Sequence, residues 1–136
     1  MHRPEKMIGQ GAAPGLSRLQ IIEVDSTKRS HEPIDDYQFS TRFDHGGKNL
    51  RVWTVEIGYG GYPYATINGK KVQQSQEIEL CQDYNGRIVL CKKVGLMLIG
   101  YLREWKVDGY SKGFFQYEST SVSDPWGTLN DRLTIR

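Results

Sequence analysis

The stretch that decides the fold is YGGYPYATINGKKV, residues 59–72. Its Asn68-Gly69 pair is the preferred sequence for a two-residue type I′ turn, because both central residues of that turn need a positive φ. The residues before the turn alternate between two faces, as the side chains of a β-strand do. The sequence therefore predicts a β-hairpin whose first strand covers Tyr62–Ile67.

The glycines of the same stretch raise the question of a phosphate-binding loop. The pattern does not match GxGxxG, because Pro63 stands where the last glycine is required. No helix follows whose N-terminus could hold a phosphate. The stretch is therefore interpreted as a hairpin and not as a phosphate loop.

Alternating apolar residues predict further strands elsewhere in the chain. These strands cover residues 17–25, 36–43, 50–57 and 113–122, and residues 132–136 are expected to close a sheet edge. A polar loop is predicted at 26–33, and turns are predicted at 44–48 and 124–127. Residues 1–16 are expected to form a flexible tail before a single globular domain over 17–136.

A second hairpin is predicted where EIELCQD (77–83) and RIVLCKK (87–93) flank an Asn-Gly pair. A two-residue turn at Asn85-Gly86 would place Cys81 opposite Leu90. Because side chains alternate along a strand, Cys81 and Cys91 would then point to opposite faces of the sheet. Both are expected to be free thiols.

Residues 90–105 fit two structures. Their apolar residues at helical spacing are Leu90, Val94, Met97, Leu98, Tyr101 and Trp105. A short helix over Gly95–Glu104 is predicted, with a strand as the rival, since glycines weaken a helix. The predicted fold class is α+β and β-rich: an antiparallel sheet, sandwich or partly open barrel built from hairpins, with one or two short helices.

Composition sets broad limits on function. The chain has 136 residues, the usual size of one domain, with 18 basic and 16 acidic residues and a net charge of +2. That excess is too small to indicate nucleic-acid binding by itself. No apolar secretory segment opens the sequence, and the run at 94–101 is too short to cross a bilayer. The expectation is an intracellular protein, soluble or peripheral on a membrane.

No motif indicates catalysis or metal binding. His2, His31 and His45 lie in the predicted tail, loop and turn, too far apart for a metal motif. Asp44-His45 could form an acid–base pair and Asp35-Asp36 could bind a cation, but both pairs are expected to be surface turn residues. The sequence thus predicts a protein that is not an enzyme, with no catalytic residue, metal or cofactor.

Aromatic residues interleaved with basic ones suggest a surface for RNA or another anionic partner, since bases stack on rings and phosphates bind cations. The candidate residues are Lys70, Lys71, Arg51, Arg87, Lys92, Lys93, Tyr62 and Tyr64. The alternative is that the tyrosines pack in the core or a subunit interface, while the lysines keep sheet edges soluble.

Three pieces of the sequence, in this order, resemble the small matrix proteins of bornaviruses, which are non-segmented negative-strand RNA viruses. The pieces are Pro14-Gly15 with Leu19 and Glu23-Val24-Asp25; Asp36-Tyr37 with Phe39, Gly47 and Leu50; and Tyr101-Leu102-Arg103. The resemblance covers most of 14–109, with a gap after Asp25. It implies a compact fold of sheet and helices, a tetramer or larger lattice, and contact with RNA and the inner membrane leaflet. No PPxY or PTAP budding motif is present.

Three functions follow as expectations. The first is a viral matrix-like structural protein, a homo-oligomer such as a tetramer, that bridges RNA or nucleoprotein and the anionic inner leaflet. The second is a β-barrel module that binds single-stranded nucleic acid without a membrane role. The third is a β-barrel small-ligand binder or enzyme in which Tyr37, Trp53 and Tyr64 line a pocket.

Overall fold

The computed structural model describes residues 15–46, 48–92, 96–107, 109–110, 112–122 and 126–136. These residues form nine β-strands and contain no helix. The strands are β1 (Arg18–Asp25), β2 (Glu32–Pro33), β3 (Arg51–Ile57), β4 (Gly60–Ile67), β5 (Lys70–Gln82), β6 (Ile88–Leu90), β7 (Met97–Lys106), β8 (Gly113–Ser121) and β9 (Thr128–Ile135).

The strands form an antiparallel half-barrel in the order β2-β1-β3-β7-β5-β4-β8-β9, with β6 paired to β5 outside this path. The long strand β5 joins the two parts of the sheet, because its first residues pair with β4 and the rest pair with β7. A register shift between Gln74 and Gln76 lets the strand bend where it changes partners. The predicted β-rich antiparallel architecture is therefore confirmed.

The sheet curls far enough to bring β1 close to β9. The backbone N–H of Ile21 in β1 donates to Oδ2 of Asp131 in β9 at 2.9 Å. The segment before Arg42 also runs along β9: the N–H of Thr134 donates to the carbonyl of Phe39, and the N–H of Thr41 donates to the carbonyl of Thr134, both at 2.9 Å. This segment therefore extends the sheet beside its last long strand.

Apolar residues are buried on both faces of the central strands. Inside the half-barrel, one cluster collects Ile21, Val52, Ala65, Ile67, Trp105, Phe115 and Leu133 with their neighbours. On the opposite face of β1, β3 and β7, a second cluster contains Ile22, Trp53, Val55, Ile57, Leu80, Ile99 and Leu102. Ile88 and Leu90 of β6 pack against the second cluster, so the hairpin that carries β6 covers part of that face.

The interior also holds a buried ion pair. Oε1 of Glu56, a fully buried residue, accepts hydrogen bonds from Nη1 of Arg103 at 3.1 Å and from the hydroxyl of Tyr117 at 2.9 Å. Burial, and then the charge of Glu56, raise the pKa of the Tyr117 hydroxyl, which therefore stays protonated as a donor. Burial acts to lower the pKa of Arg103, but Tyr117 and Glu56 more than reverse this, and the net pKa is raised.

The helix predicted over Gly95–Glu104 is wrong for the described part of that range, 96–104, of which residues 97–104 belong to β7. This strand lies between β3 and β5 and is buried on both faces, so it has the continuous apolar sequence of a central strand rather than strict alternation. Gly100 has a packing role there, because a Cβ at this position would lie 2.1 Å from the carbonyl oxygen of Glu56.

The strand predicted over residues 36–43 is also wrong. The segment is a loop with a turn at Asp36-Tyr37 and one isolated bridge, from Ser40 to Thr134. Side chains satisfy its backbone locally: Gln38 accepts from the N–H of Asp35 at 3.0 Å and donates to the carbonyl of Ser40 at 2.9 Å. Such side-chain bonds compete with a strand ladder, and the alternating aromatic residues are left partly or largely exposed.

The first hairpin is confirmed, including its turn. Ile67 pairs with Lys70, and both Asn68 and Gly69 have positive φ, at 50° and 83°. Oδ1 of Asn68 also accepts the N–H of Phe114 at 2.9 Å, so the turn is tied to β8. Lys70 and Lys71 are exposed beyond the turn, as the sequence predicted.

Replacing Gly69 with valine is expected to lower the free energy of unfolding by about 1–2 kcal/mol, because a β-branched residue resists positive φ. A Cβ here would meet no atom within 4 Å, so backbone strain is the cause and not a clash. Urea unfolding measures the loss. Gly69→Asn is the matched control, since asparagine tolerates positive φ and should lose less. Equal losses in the two variants would contradict the assigned turn.

The second hairpin has a different register from the predicted one. The N–H of Asp83 donates to the carbonyl of Arg87 at 2.9 Å, so Tyr84-Asn85-Gly86 forms a three-residue loop. Cys81 consequently lies opposite Val89 rather than Leu90. The shift of one residue puts both cysteines on the same face, and Cys81 and Cys91 form a disulfide with a Cα–Cα distance of 5.0 Å. The prediction of free thiols is wrong.

The predicted tail and one predicted turn lie largely outside the described residues. Gly15 and Leu16, at the end of the predicted tail, belong to the fold: Gly15 bridges to Tyr59, and the N–H of the buried Leu16 donates to Oγ of Ser121 at 3.1 Å. Of the turn predicted at 124–127, only the last two residues are described.

Candidate ligand-binding groove

The outer face of β4, β8 and β9 carries two rows of polar side chains. Thr66 lies opposite Gln116, which lies opposite Arg132; in the next row Tyr64 lies opposite Glu118, which lies opposite Asn130. Residues next to them in sequence, such as Ala65, Phe115 and Leu133, are buried inside the half-barrel. Because side chains alternate along each strand, the rows face outward. They line a cavity of about 460 Å³, here called the β4–β8–β9 groove.

One contact fixes the aromatic ring at the side of this groove. The hydroxyl of Tyr64 donates a hydrogen bond to Oε1 of Glu118. That bond, and secondarily burial, raise the pKa of the Tyr64 hydroxyl, so the phenol stays protonated. The Tyr64 side chain remains 40% exposed, and it is therefore a positioned ring that a ligand can reach.

A β-bulge presents a second tyrosine near the groove. Gly61 pairs with Thr120 and Tyr64 pairs with Glu118, so Tyr62 and Pro63 lie in the register shift between these pairs. Tyr62 has a φ of 54° and is 90% exposed. A bulky residue at positive φ is strained, and bulges often redirect a side chain next to a binding site.

The groove meets a second cavity beyond β9. Asn130 lines both cavities, and the second, of about 350 Å³, is bounded by the loop of residues 35–39 and the start of β1. The guanidinium of Arg132 lies 6.0 Å from the ring centre of Phe39, across the boundary between the two. The polar rows and this loop thus form adjoining surfaces.

The predicted RNA-binding residues do not form one surface. Tyr64 lines the groove and Lys71 extends its first row opposite Thr66. Lys70 in β5 and Tyr62 in β4 lie nearby. Arg51 is half-buried at the start of β3, between partners in β1 and β7.

Two other predicted residues, Arg87 and Lys92, flank the second hairpin, at the opposite end of β5 from Lys70. A 13-residue strand separates the two ends by about 40 Å when extended. Lys93 lies outside the described residues. The predicted set is therefore divided between distant parts of the sheet.

The outward groove residues of β8 and β9 were not among the predicted site residues: Gln116, Glu118, Asn130 and Arg132. The alternation in GFFQYESTSV (113–122) was a usable signal, since it places Gln116 and Glu118 on one face of a predicted strand. Nothing local indicated that this strand pairs with β4, more than 40 residues earlier. Asn130 lay in a stretch to which no strand was assigned.

His45 is buried rather than located in a surface turn, which corrects the sequence prediction. Its Nδ1 lies 2.8 Å from Oγ of Ser26, and its Nε2 lies 2.8 Å from Oε1 of Glu32. The neighbouring Asp44 is exposed and pairs with Lys28 at 3.1 Å, so Asp44-His45 is not an acid–base pair.

The Ser26–His45–Glu32 arrangement resembles a catalytic triad in composition but not in accessibility. All three residues are at least nine-tenths buried. Oγ of Ser26 also accepts the N–H of Arg29 at 3.0 Å, and Oε2 of Glu32 accepts the N–H of Arg42 at 2.7 Å. These bonds join the 26–32 and 42–45 segments, and we interpret the cluster as a structural clamp.

One further group contains atoms that could ligate a cation. Donor atoms of Glu23, Asp25 and His31 lie within 4.8 Å of one another. They also bond to each other, since Oδ1 of Asp25 is 2.5 Å from the backbone nitrogen and 3.0 Å from Nδ1 of His31. We assign no metal to this group. Asp35 and Asp36 likewise bond to Arg42 and Gln20, in keeping with the predicted turn role.

The fold and the groove define an antiparallel half-barrel domain with an open, polar and aromatic surface on one part of its sheet. The chain belongs to the family described as a domain of unknown function, DUF4879, which matches residues 8–135. No curated protein matches the chain, and no solved structure matches it. Among the described residues no helix is long and apolar enough to cross a membrane. The resemblance to bornavirus matrix proteins remains a prediction from the sequence.

Proposed function

We propose that this protein is a saccharide-binding module and that the β4–β8–β9 groove is its binding site. The observation that carries the proposal is the composition of the two outward rows. Two carboxamides, a threonine, a carboxylate and a guanidinium lie together on a rigid sheet, beside the positioned ring of Tyr64. Ligand sites commonly combine aromatic surface with a few polar groups that fix orientation.

Sugar chemistry matches this combination. The side-chain amides of Gln116 and Asn130 can each donate and accept hydrogen bonds, as sugar hydroxyls do. Arg132 supplies donors only, and the Glu118 carboxylate keeps acceptor capacity beyond its bond to Tyr64. A tyrosine ring offers a flat apolar surface for the C–H face of a sugar, together with a polar tip.

The charges in and around the groove favour a saccharide over a nucleic acid as its ligand. Arg132 lines the groove and Lys71 extends its first row, but Glu118 lies in the row next to Arg132 and disfavours a phosphate there. The other predicted basic residues lie elsewhere on the sheet. RNA binding, anionic-membrane binding and self-association stay predictions from the sequence, and the experiment below includes the first two.

The disulfide favours an exported protein. Such bonds persist in oxidising compartments and are rare in the cytosol, where thiols are kept reduced. Cys81 and Cys91 are linked, and neither cysteine of the chain is free. We therefore propose an extracytoplasmic location, in place of the intracellular one expected from the sequence. Polysaccharides are abundant ligands in that setting.

Isothermal titration with uncharged hexasaccharides tests the proposal: cellohexaose, chitohexaose, xylohexaose and maltohexaose. At least one is expected to bind, and Tyr64→Ala should weaken that binding at least about tenfold, roughly 1.4 kcal/mol. Tyr84→Ala is the matched control, because Tyr84 is 91% exposed in the second hairpin, far from the groove. It should bind like the parent protein.

Two comparison ligands complete the experiment. Single-stranded oligouridine and vesicles containing phosphatidylserine are titrated at several salt concentrations. Failure of all four hexasaccharides would overturn the saccharide proposal. Salt-dependent binding of oligouridine or vesicles would then favour the anionic partners predicted from the sequence.

A further inference from the structure

We infer that the binding site continues past Asn130 onto the loop of residues 35–39, so that the ligand is a linear, uncharged glycan rather than a single sugar. This inference rests on the proposed function and names its ligand class. The two cavities, of about 460 Å³ and 350 Å³, share Asn130 as a lining residue. The loop is joined to the sheet beside β9 through the backbone bonds between Phe39 and Thr134 and between Thr134 and Thr41.

The loop displays two aromatic rings. Tyr37 is 91% exposed and Phe39 is 55% exposed. Tyr37 also has a φ of 63°, a conformation that a bulky residue adopts only under strain. Strained positions that the surrounding structure maintains are concentrated at binding sites.

The loop is braced in a way that keeps these rings outward. The N–H of Gln38 donates to the carbonyl of Asp35 at 3.1 Å, and the Gln38 side chain bonds the backbone on both sides of the turn. Asp36 accepts from Gln20 of β1, and Asp35 pairs with Arg42. A braced platform loses little conformational freedom when a ligand stacks on it, which favours affinity.

The dimensions require an extended ligand. Tyr64 is in β4, Asn130 is two strands away in β9, and the loop lies beyond β9. At about 4.8 Å between neighbouring strands, the surface from Tyr64 to the loop spans about 14 Å. One sugar ring cannot contact both ends. A chain lying across the strands can stack on Tyr64 at one end and on Tyr37 at the other.

Charge selects among linear glycans. Asp35, Asp36 and Asp131 line the second cavity, with Arg18 as the cation in that lining. Oδ2 and Oδ1 of Asp131 accept from the N–H groups of Ile21 and Arg132, both at 2.9 Å. These carboxylates repel the acidic groups of uronic-acid or sulfated chains, and they can accept hydrogen bonds from sugar hydroxyl groups. An uncharged chain therefore fits the whole site.

A chain-length series tests the inference, using oligosaccharides of two to six residues from whichever hexasaccharide binds most tightly. Affinity for the parent protein is expected to rise at least about tenfold between the disaccharide and the hexasaccharide. Tyr37→Asn should remove that gain, so that the hexasaccharide binds the variant no more tightly than the disaccharide does. Asparagine tolerates positive φ, so the loop backbone is kept; a circular dichroism spectrum confirms folding. Tyr84→Ala should retain the full gain.

The outcomes separate the two proposals. If Tyr64→Ala weakens binding but the affinity depends neither on chain length nor on Tyr37, the extended site is overturned and the groove assignment stays in place. If no hexasaccharide binds, the proposed function and this inference are both overturned. If an acidic hexasaccharide such as a polygalacturonate oligomer binds more tightly than the uncharged ones, the charge argument is wrong.

Discussion

Arg103→Met is expected to lower the free energy of unfolding by about 3–5 kcal/mol, the largest effect predicted for this protein. Glu56 is fully buried and Arg103 is nearly so, and Nη1 of Arg103 lies 3.1 Å from Oε1 of Glu56. Removing the guanidinium leaves a buried carboxylate whose only remaining hydrogen-bond donor among the described residues is the hydroxyl of Tyr117, at 2.9 Å. Urea unfolding of parent and variant measures the difference.

A double variant separates the buried charge from the lost side-chain volume. Glu56→Gln in the Arg103→Met background removes the unpaired charge while keeping an acceptor for Tyr117. It should recover most of the stability, because uncompensated charge is the main cost of breaking a buried pair. A loss below about 1 kcal/mol in the single variant, or no recovery in the double variant, would mean that the Glu56–Arg103 pair is not the buried contact described above.

Removing the disulfide with Cys81→Ala and Cys91→Ser is expected to cost about 3 kcal/mol of unfolding free energy. The bond closes a loop with a sequence separation of 10, and loop-closure entropy for that length gives this magnitude. Alanine suits the buried position 81 and serine the half-buried position 91. The loss is measured by urea unfolding without reductant.

The control for this prediction is the parent protein unfolded with a strong reductant. It should approach the stability of the double variant, whereas the variant itself should be insensitive to reductant. Intact-mass analysis after thiol alkylation of the native, unreduced protein should find no modified cysteine. Two alkylated thiols would show instead that the native protein lacks the Cys81–Cys91 bond.

Local patterns in the sequence were sufficient for several elements. The turn at Asn68-Gly69 could be predicted because only a few residue types tolerate positive φ at both positions. The strand Arg51–Ile57 could be recognised from its alternating β-branched and apolar residues. The second hairpin was located correctly but mispaired by one residue, because a two-residue and a three-residue loop differ only in whether Tyr84 joins the turn.

The remaining errors have a common origin in packing. β7 lies between β3 and β5, and its residues other than the terminal Met97 and Lys106 are buried or half-buried. A strand buried on both faces has no alternation that separates it from a helix. Tyr37, Phe39 and Phe43 alternate like strand residues, yet local side-chain bonds keep their segment out of the ladder. His45 gave no sign of burial, because its hydrogen-bond partners Ser26 and Glu32 lie 19 and 13 residues away in the sequence.

By itself, the sequence determined where the two hairpins lie, the β-rich class and the exposed lysines after the first turn, since these depend on conformational preferences within a few neighbouring residues. Only the tertiary structure decided that Tyr64, Gln116 and Arg132 share one face, that Glu56 meets Arg103, and that Cys81 meets Cys91. Strand order and register bring together residues that are far apart in the chain. Those choices are made by burial of the whole sheet, to which every strand contributes, so no local pattern records them.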